Sequence, residues 1–148
     1  LADDETEEEI VADKMSIILF SGTVDKLMAA ATLATGGAAM GQDVEIFLTF
    51  WGLNAFRKDQ VRTNMKFSAD FAEFAEPAMQ AMQAKNVPHW MDVLHSAAEI
   101  GNVHVVACSM TLELFGWSKD DLDDIVEDVT GVGSFVEQAK DAQINLFI

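Results

Sequence analysis

A single cysteine, Cys108, stands among 148 residues, and that scarcity excludes several architectures. One thiol cannot close an internal disulfide, so the fold is not disulfide-stapled, and a reducing cytoplasm is the simplest setting. It also rules out a cysteine-rich metal site within one chain; no metal and no resident cofactor are expected. Basic residues are nearly as scarce. The 9 Lys and Arg face 25 Asp and Glu, for a net charge of -16. So acidic a chain repels phosphate backbones and anionic lipid, which makes nucleic acid and membrane surfaces poor partners. No stretch reaches the ~20 apolar residues that cross a bilayer, so membrane insertion is not expected. The longest candidate, residues 28–40, is rich in Ala and Gly and reads as a closely packed helix. The first nine residues are polar and acidic, the opposite of a secretory or transit signal.

Half of the residues are hydrophobic, enough to bury a real core, and the length suits one domain. Residues 1–13 read as an acidic, frayed lead-in, followed by a single domain over 14–148. The acid excess has two readings. It hydrates the surface in very high salt, or it sits in tails and helix faces for ordinary solubility. The low basic content and the acids at Asp120, Asp121, Asp123 and Asp124 favour the first, and with it a loss of stability as salt is removed.

Short apolar runs alternate with helical stretches. Residues 15–20 (MSIILF), 44–50 (VEIFLTF) and 103–107 (VHVVA) have the continuous hydrophobicity of strands buried on both faces. Residues 144–148 (INLFI) read as another strand, and 130–133 as a short one between them. Helices are expected over 23–40, 69–85 with Pro77 kinking or restarting it, 90–100, 119–127 and 135–142; residues 51–67 are harder to place. Such alternation implies a three-layer α/β/α sandwich around a mostly parallel five-stranded sheet.

In open parallel sheets, sites gather beyond the carboxyl ends of the strands. Three turns arrive there: Ser21-Gly22-Thr23, the segment around Trp51 and Gly52, and Cys108-Ser109-Met110. Cys108 lies at a strand end facing a helix start, where amides and the helix dipole favour a thiolate. A lone cysteine at the end of an apolar run is equally a small buried hydrophobe. The Ser21–Thr23 turn is an anion cradle or simply a helix N-cap, and Trp51 covers a site or plugs the sheet edge. His104 and Cys108 share a sheet face but lie about 13 Å apart along the strand, too far for a hydrogen bond. His89 and His95 lack metal-ligand spacing.

Four segments carry a resemblance: Ser21-Gly22-Thr23 with Asp25 and Lys26, Phe50-Trp51-Gly52-Leu53, Ala107-Cys108-Ser109-Met110, and Ile144 to Ile148. In order and spacing they resemble the DsrE/DsrF/DsrH-like family, in particular its branch often labelled "peroxiredoxin family protein". That label misleads, since neither a thioredoxin-like fold nor a Thr-x-x-Cys site is present. The resemblance implies a five-stranded α/β/α fold, homo- or hetero-oligomers, and sulfur carried as a persulfide on the cysteine matching Cys108. It further implies transfer to a TusA-like or similar carrier protein. Ser109 and Met110 would then offer amides to the sulfur anion, with Ser21, Gly22, Thr23, Trp51 and Gly52 nearby. A small anion- or flavin-binding module and a non-catalytic oligomeric interaction subunit are the alternatives.

Overall fold

Among the described residues, five short stretches line up as one sheet: β1 (Lys14–Leu19), β2 (Asp43–Leu48), β3 (Val103–Cys108), β4 (Val126–Thr130) and β5 (Ile144–Phe147). The computed structural model describes residues 12–148; the acidic lead-in up to residue 11 lies outside the described residues. The strand order is β4-β3-β2-β1-β5, and all four pairings are parallel. Each connection therefore needs a crossover. The last one, from β4 to β5, traverses the whole sheet, because these strands form its two edges.

Six α-helices make the crossovers: α1 (Val24–Ala39), α2 (Phe50–Ala55), α3 (Ala75–Ala84), α4 (Trp90–Ile100), α5 (Ser109–Phe115) and α6 (Val132–Ala139). Alternate strand residues point to opposite faces. Met15, Ile17, Leu19, Val44, Ile46, Leu48, Val103, Val105 and Ala107 face α1 and α4 and form the main core. Gly37 lets α1 approach this face closely, since a Cβ there would crowd Val44 and Met15. The opposite face is covered mainly by the short helix α6. Its Phe135 joins Phe47 and Cys108 in a second, smaller cluster.

The α/β/α architecture matches the sequence expectation, and four of its strands fall within a residue or two of their apolar runs. Two elements differ. The expected fourth strand at 130–133 lies earlier, at Val126–Thr130, and Val132 already belongs to α6. The expected helix over 119–127 shrinks to one 3₁₀ turn, Lys119–Asp121, closed by a Ser118–Asp121 capping box. Its continuation is pulled straight by the segment after α2: the Lys58 amide donates to the Asp121 carbonyl, and the Asp123 amide to the Phe56 carbonyl. Leu122 is buried there and bridges Arg57. Pro77 falls in the first turn of α3, where its missing N–H costs nothing, and a 3₁₀ segment (Ala69–Phe74) precedes it.

Candidate functional site

Cys108 ends β3 and caps α5, with an extended backbone (φ -69°, ψ 117°). Its side chain is buried, 2 % exposed, on the sheet face covered by α6. The rings of Phe47 and Phe135 stack beside it at 4.5 Å between centroids. Met110 and Leu114 on α5, which Cys108 caps, and Val132 and Val136 on α6, which covers it, remain exposed. The thiol is thus a closed position beneath a surface of exposed apolar side chains.

The other expected residues gather elsewhere. Ser21, Gly22, Thr23 and Trp51 line one cleft of about 410 Å³ together with Lys26, Asn54, Gln60, Asn64, Lys66, Ser68 and Asp70; Cys108, Ser109 and Met110 do not line it. Gly22 and Gly52 build the cleft from behind. A Cβ on Gly22 would strike the Trp51 carbonyl, and one on Gly52 the Leu19 carbonyl. The turn after β1 and the start of α2 therefore cross backbone to backbone. The Gly52 amide donates to the Phe20 carbonyl at 2.8 Å across this crossing.

The amides of the Ser21–Thr23 turn are a candidate anion cradle: those of Gly22 and Thr23 have no acceptor among the described residues, while the amides on either side of them are used within the fold. The Ser21 amide donates to the Ile148 carbonyl and the Val24 amide to the Lys66 carbonyl. The Asp25 carboxylate occupies the first turn of α1, accepting from the Ser68 hydroxyl at 2.7 Å and the Ser68 amide at 3.3 Å. Burial raises the Asp25 pKa, but hydrogen bonds from Thr23, Ser68 and the Lys26 backbone outweigh it and hold the carboxyl below its ordinary value. The Asn64 side-chain amide completes the strap by donating to the Gly22 carbonyl at 2.8 Å.

A run of aromatic rings joins the two regions along the carboxyl end of the sheet. Phe147 stacks with Phe20, Phe20 meets Phe50, and Phe50 packs on Trp51 and Phe115. Phe115 stacks on Trp117, which lies under the Arg57 guanidinium. Phe50 has φ +46°, a left-handed conformation that an aromatic residue rarely adopts. Its amide donates to the buried Thr111 hydroxyl at 3.3 Å, and that hydroxyl also meets Thr49 at 3.2 Å, which ties α5 to the end of β2.

On the Cys108 face, one register row is polar. Ser16, Glu45 and His104 sit side by side on β1, β2 and β3. His104 Nδ1 meets Glu127 of β4 at 2.9 Å. Burial raises the Glu45 pKa against the attraction of His104 and Lys14, with Glu127 adding to the rise. The other histidines are structural. His89 Nδ1 accepts from the Met91 amide at the start of α4, and its pKa is lowered chiefly by burial. His95 contacts Asp123. Among the described residues no three His, Cys, Asp or Glu side chains group as a metal site. No helix there is long and apolar enough to cross a membrane.

Sequence reasoning missed Asn54, Gln60, Lys66 and Ser68 of the cleft, since the segment around them carries no periodic signal. The polar row was detectable: Ser16, Glu45 and His104 each stand second in their strand run, 15–20, 44–50 and 103–107.

Known proteins give this geometry a context. The model of the DsrE/DsrF/DrsH-like family matches residues 11–79 and 62–147. The chain belongs to this family. The chain is 37% identical over 156 residues to the uncharacterized protein YrkE of Bacillus subtilis (strain 168), covering 91% of this chain and 96% of YrkE. It is 27% identical over 165 residues to the sulfur carrier protein DsrE2 of Allochromatium vinosum, covering 91% and 98% of the two chains. The fold recurs in MTH1491 from Methanobacterium thermoautotrophicum, with a TM-score of 0.57, 17% identity and 92% and 99% coverage. It recurs also in ychN from E. coli, with a TM-score of 0.56, 16% identity and 91% and 99% coverage.

Proposed function

We propose that this DsrE-like chain is a sulfur carrier that holds sulfane sulfur on Cys108 and hands it to a partner thiol. The observation that carries the reading is the place of the one cysteine: it caps α5 at the carboxyl end of an interior strand, in a chain similar to a sulfur carrier protein. The Cys108 thiolate attacks the outer sulfur of a donor persulfide, R–S–SH. The donor S–S bond breaks, R–S⁻ leaves, and Cys108 keeps the outer sulfur as its own persulfide. A partner thiolate then attacks that outer sulfur and releases the Cys108 thiolate. No net oxidation occurs, and one cysteine per subunit suffices. The Ser109 and Met110 amides stabilise the sulfur anion, and the acceptor is a TusA-like or other carrier protein. The working form is a cytoplasmic homo-oligomer.

Loading requires Phe135 and α6 to move away from the thiol, because Cys108 is closed off in this conformation. The test is intact mass after incubation with thiosulfate, tetrathionate or polysulfide, alongside Cys108→Ser. A dithiothreitol-reversible gain of a sulfur or thiosulfonate group on Cys108, absent in the variant, is expected. No adduct, with Cys108 closed to alkylation until the protein unfolds, refutes the carrier. That result supports a second reading, favoured by the thiol's burial, in which the chain is a non-catalytic interaction subunit.

A further inference from the structure

The cleft beside Trp51 carries a charge pattern that runs against the rest of the molecule. Acids outnumber bases 25 to 9, and Arg57, Lys58, Arg62 and Lys140 each pair with a carboxylate. Lys26 and Lys66, both lining the cleft, form no ion pair among the described residues; Lys14, Lys85 and Lys119 form none either, but only Lys26 and Lys66 share one concavity. Asp25, next to Lys26 in sequence, is turned to the Ser68 hydroxyl and amide instead. Asp70 is the one carboxylate among the lining residues. Two ammonium groups therefore share a concave space with a single acid, in a chain whose surface is otherwise rich in acids.

The remaining lining is that of a recognition site. The Ser21 hydroxyl and the Asn54 and Gln60 amides supply neutral donors around the lysines. The Trp51 indole, 51% exposed, offers a flat apolar wall with no side chain covering it fully. At about 410 Å³ the space exceeds an inorganic ion and suits a small organic molecule. Ammonium groups and neutral donors recognise an oxyanion, while an open indole face recognises a flat group. The Ser21 and Val24 amides already donate within the fold, whereas those of Gly22 and Thr23, which also line the cleft, have no acceptor among the described residues.

We propose that this cleft binds a small organic oxyanion, a phosphate or sulfonate joined to a flat group, with Lys26 and Lys66 on the oxyanion and Trp51 against the flat part. The site is separate from Cys108 and does not depend on the sulfur-carrier reading. Ligand binding here bears on the aromatic run that passes from Trp51 through Phe50 to Phe115 of α5, the helix that Cys108 caps.

The test is calorimetric titration with adenosine monophosphate and naphthalene-1-sulfonate, with adenosine and inorganic phosphate as the separated halves. At least one joined probe is expected to saturate the protein, about tenfold or more tighter than either half. The double variant Lys26→Gln/Lys66→Gln weakens it about tenfold or more, and so does Trp51→Ala, with unchanged circular dichroism confirming the fold. Cys108→Ser binds like the unaltered protein, so failure here and failure of sulfur loading are read separately. The proposal is overturned if neither joined probe saturates below about 10 mM, or if the lysine double variant binds as tightly as the unaltered protein.

Discussion

Phe135 lies stacked on Phe47, ring centroids 4.5 Å apart and planes 12° apart, and Cys108 is buried in the same small cluster. Access to the thiol is therefore governed by α6, a helix of 8 residues whose only fully buried side chain is that of Phe135. Phe135→Ala is expected to cost about 3–5 kcal/mol of stability and to raise the native-state alkylation rate of Cys108 about tenfold or more. Leu27→Ala, a core truncation on the opposite face, serves as the control. It should cost comparable stability without opening the thiol. Equal labelling rates in the two variants would show that global unfolding, not α6, controls access.

Two glycines predict opposite outcomes for the same substitution. Gly52 touches the Leu19 carbonyl, so Gly52→Ala forces the backbone crossing apart, with an expected loss of about 2–4 kcal/mol. Gly36 lies inside α1 with open space where a Cβ would go. Gly36→Ala should stabilise by about 0.5–1 kcal/mol through helix propensity. Urea unfolding midpoints of the two variants check both signs.

These glycines also mark how far the sequence could be read. The apolar runs around Ile17, Ile46 and Val105 announce buried parallel strands, because only a strand covered on both faces needs such continuity. The expected strand-end position of Cys108 follows from the same logic. β4 was expected a few residues too late because the adjacent Glu127 and Asp128 separate Val126 from Val129 on an edge strand, which dilutes the apolar signal. The separation of Cys108 from the Ser21–Thr23 turn was not legible, since nothing in local sequence says that α6 closes over one face while residues 60–70 strap the other turn. Lys66 reaches the cleft only through that strap, where its carbonyl accepts from Val24.

The polar row on the Cys108 face gives a pH effect with a definite sign. Glu45 has a pKa raised above its ordinary value, chiefly by burial, with His104 and Lys14 opposing and Glu127 adding. The folded state therefore binds its proton before the unfolded state does. The group's contribution to stability is fully present below the unfolded pKa and is lost as pH rises through the folded one. At neutral pH the buried charge is a cost. Glu45→Gln should be more stable than the unaltered protein at pH 7, with the gain shrinking as the pH falls toward the ordinary glutamate range. A gain that is constant with pH would assign the effect to packing.

The charge of -16 predicts a salt response. Repulsion among the acids is screened as ionic strength rises, so the melting temperature should climb with added KCl. The few ion pairs weaken under the same conditions. Arg62–Asp92, bidentate at 2.7 and 3.1 Å, is half exposed and contributes little to oppose the trend. A melting temperature that falls between low and molar KCl would refute the salt-adapted reading of the surface.

The crossover from β4 to β5 spans the full width of the sheet, and it sets an order of assembly. β5 pairs with β1, Met15 with Ile144, across nearly the whole chain, so this pairing has the largest loop-closure cost in the sheet and is expected to form late. The Phe20 and Ser21 amides find their acceptor only then, on the Ile148 carbonyl. Pairing of the four strands from β1 to β4 does not wait for this event, but the rim of the Trp51 cleft does. On that order a newly made chain completes the rim of the Trp51 cleft late, and a ligand held there would report that β5 is in place.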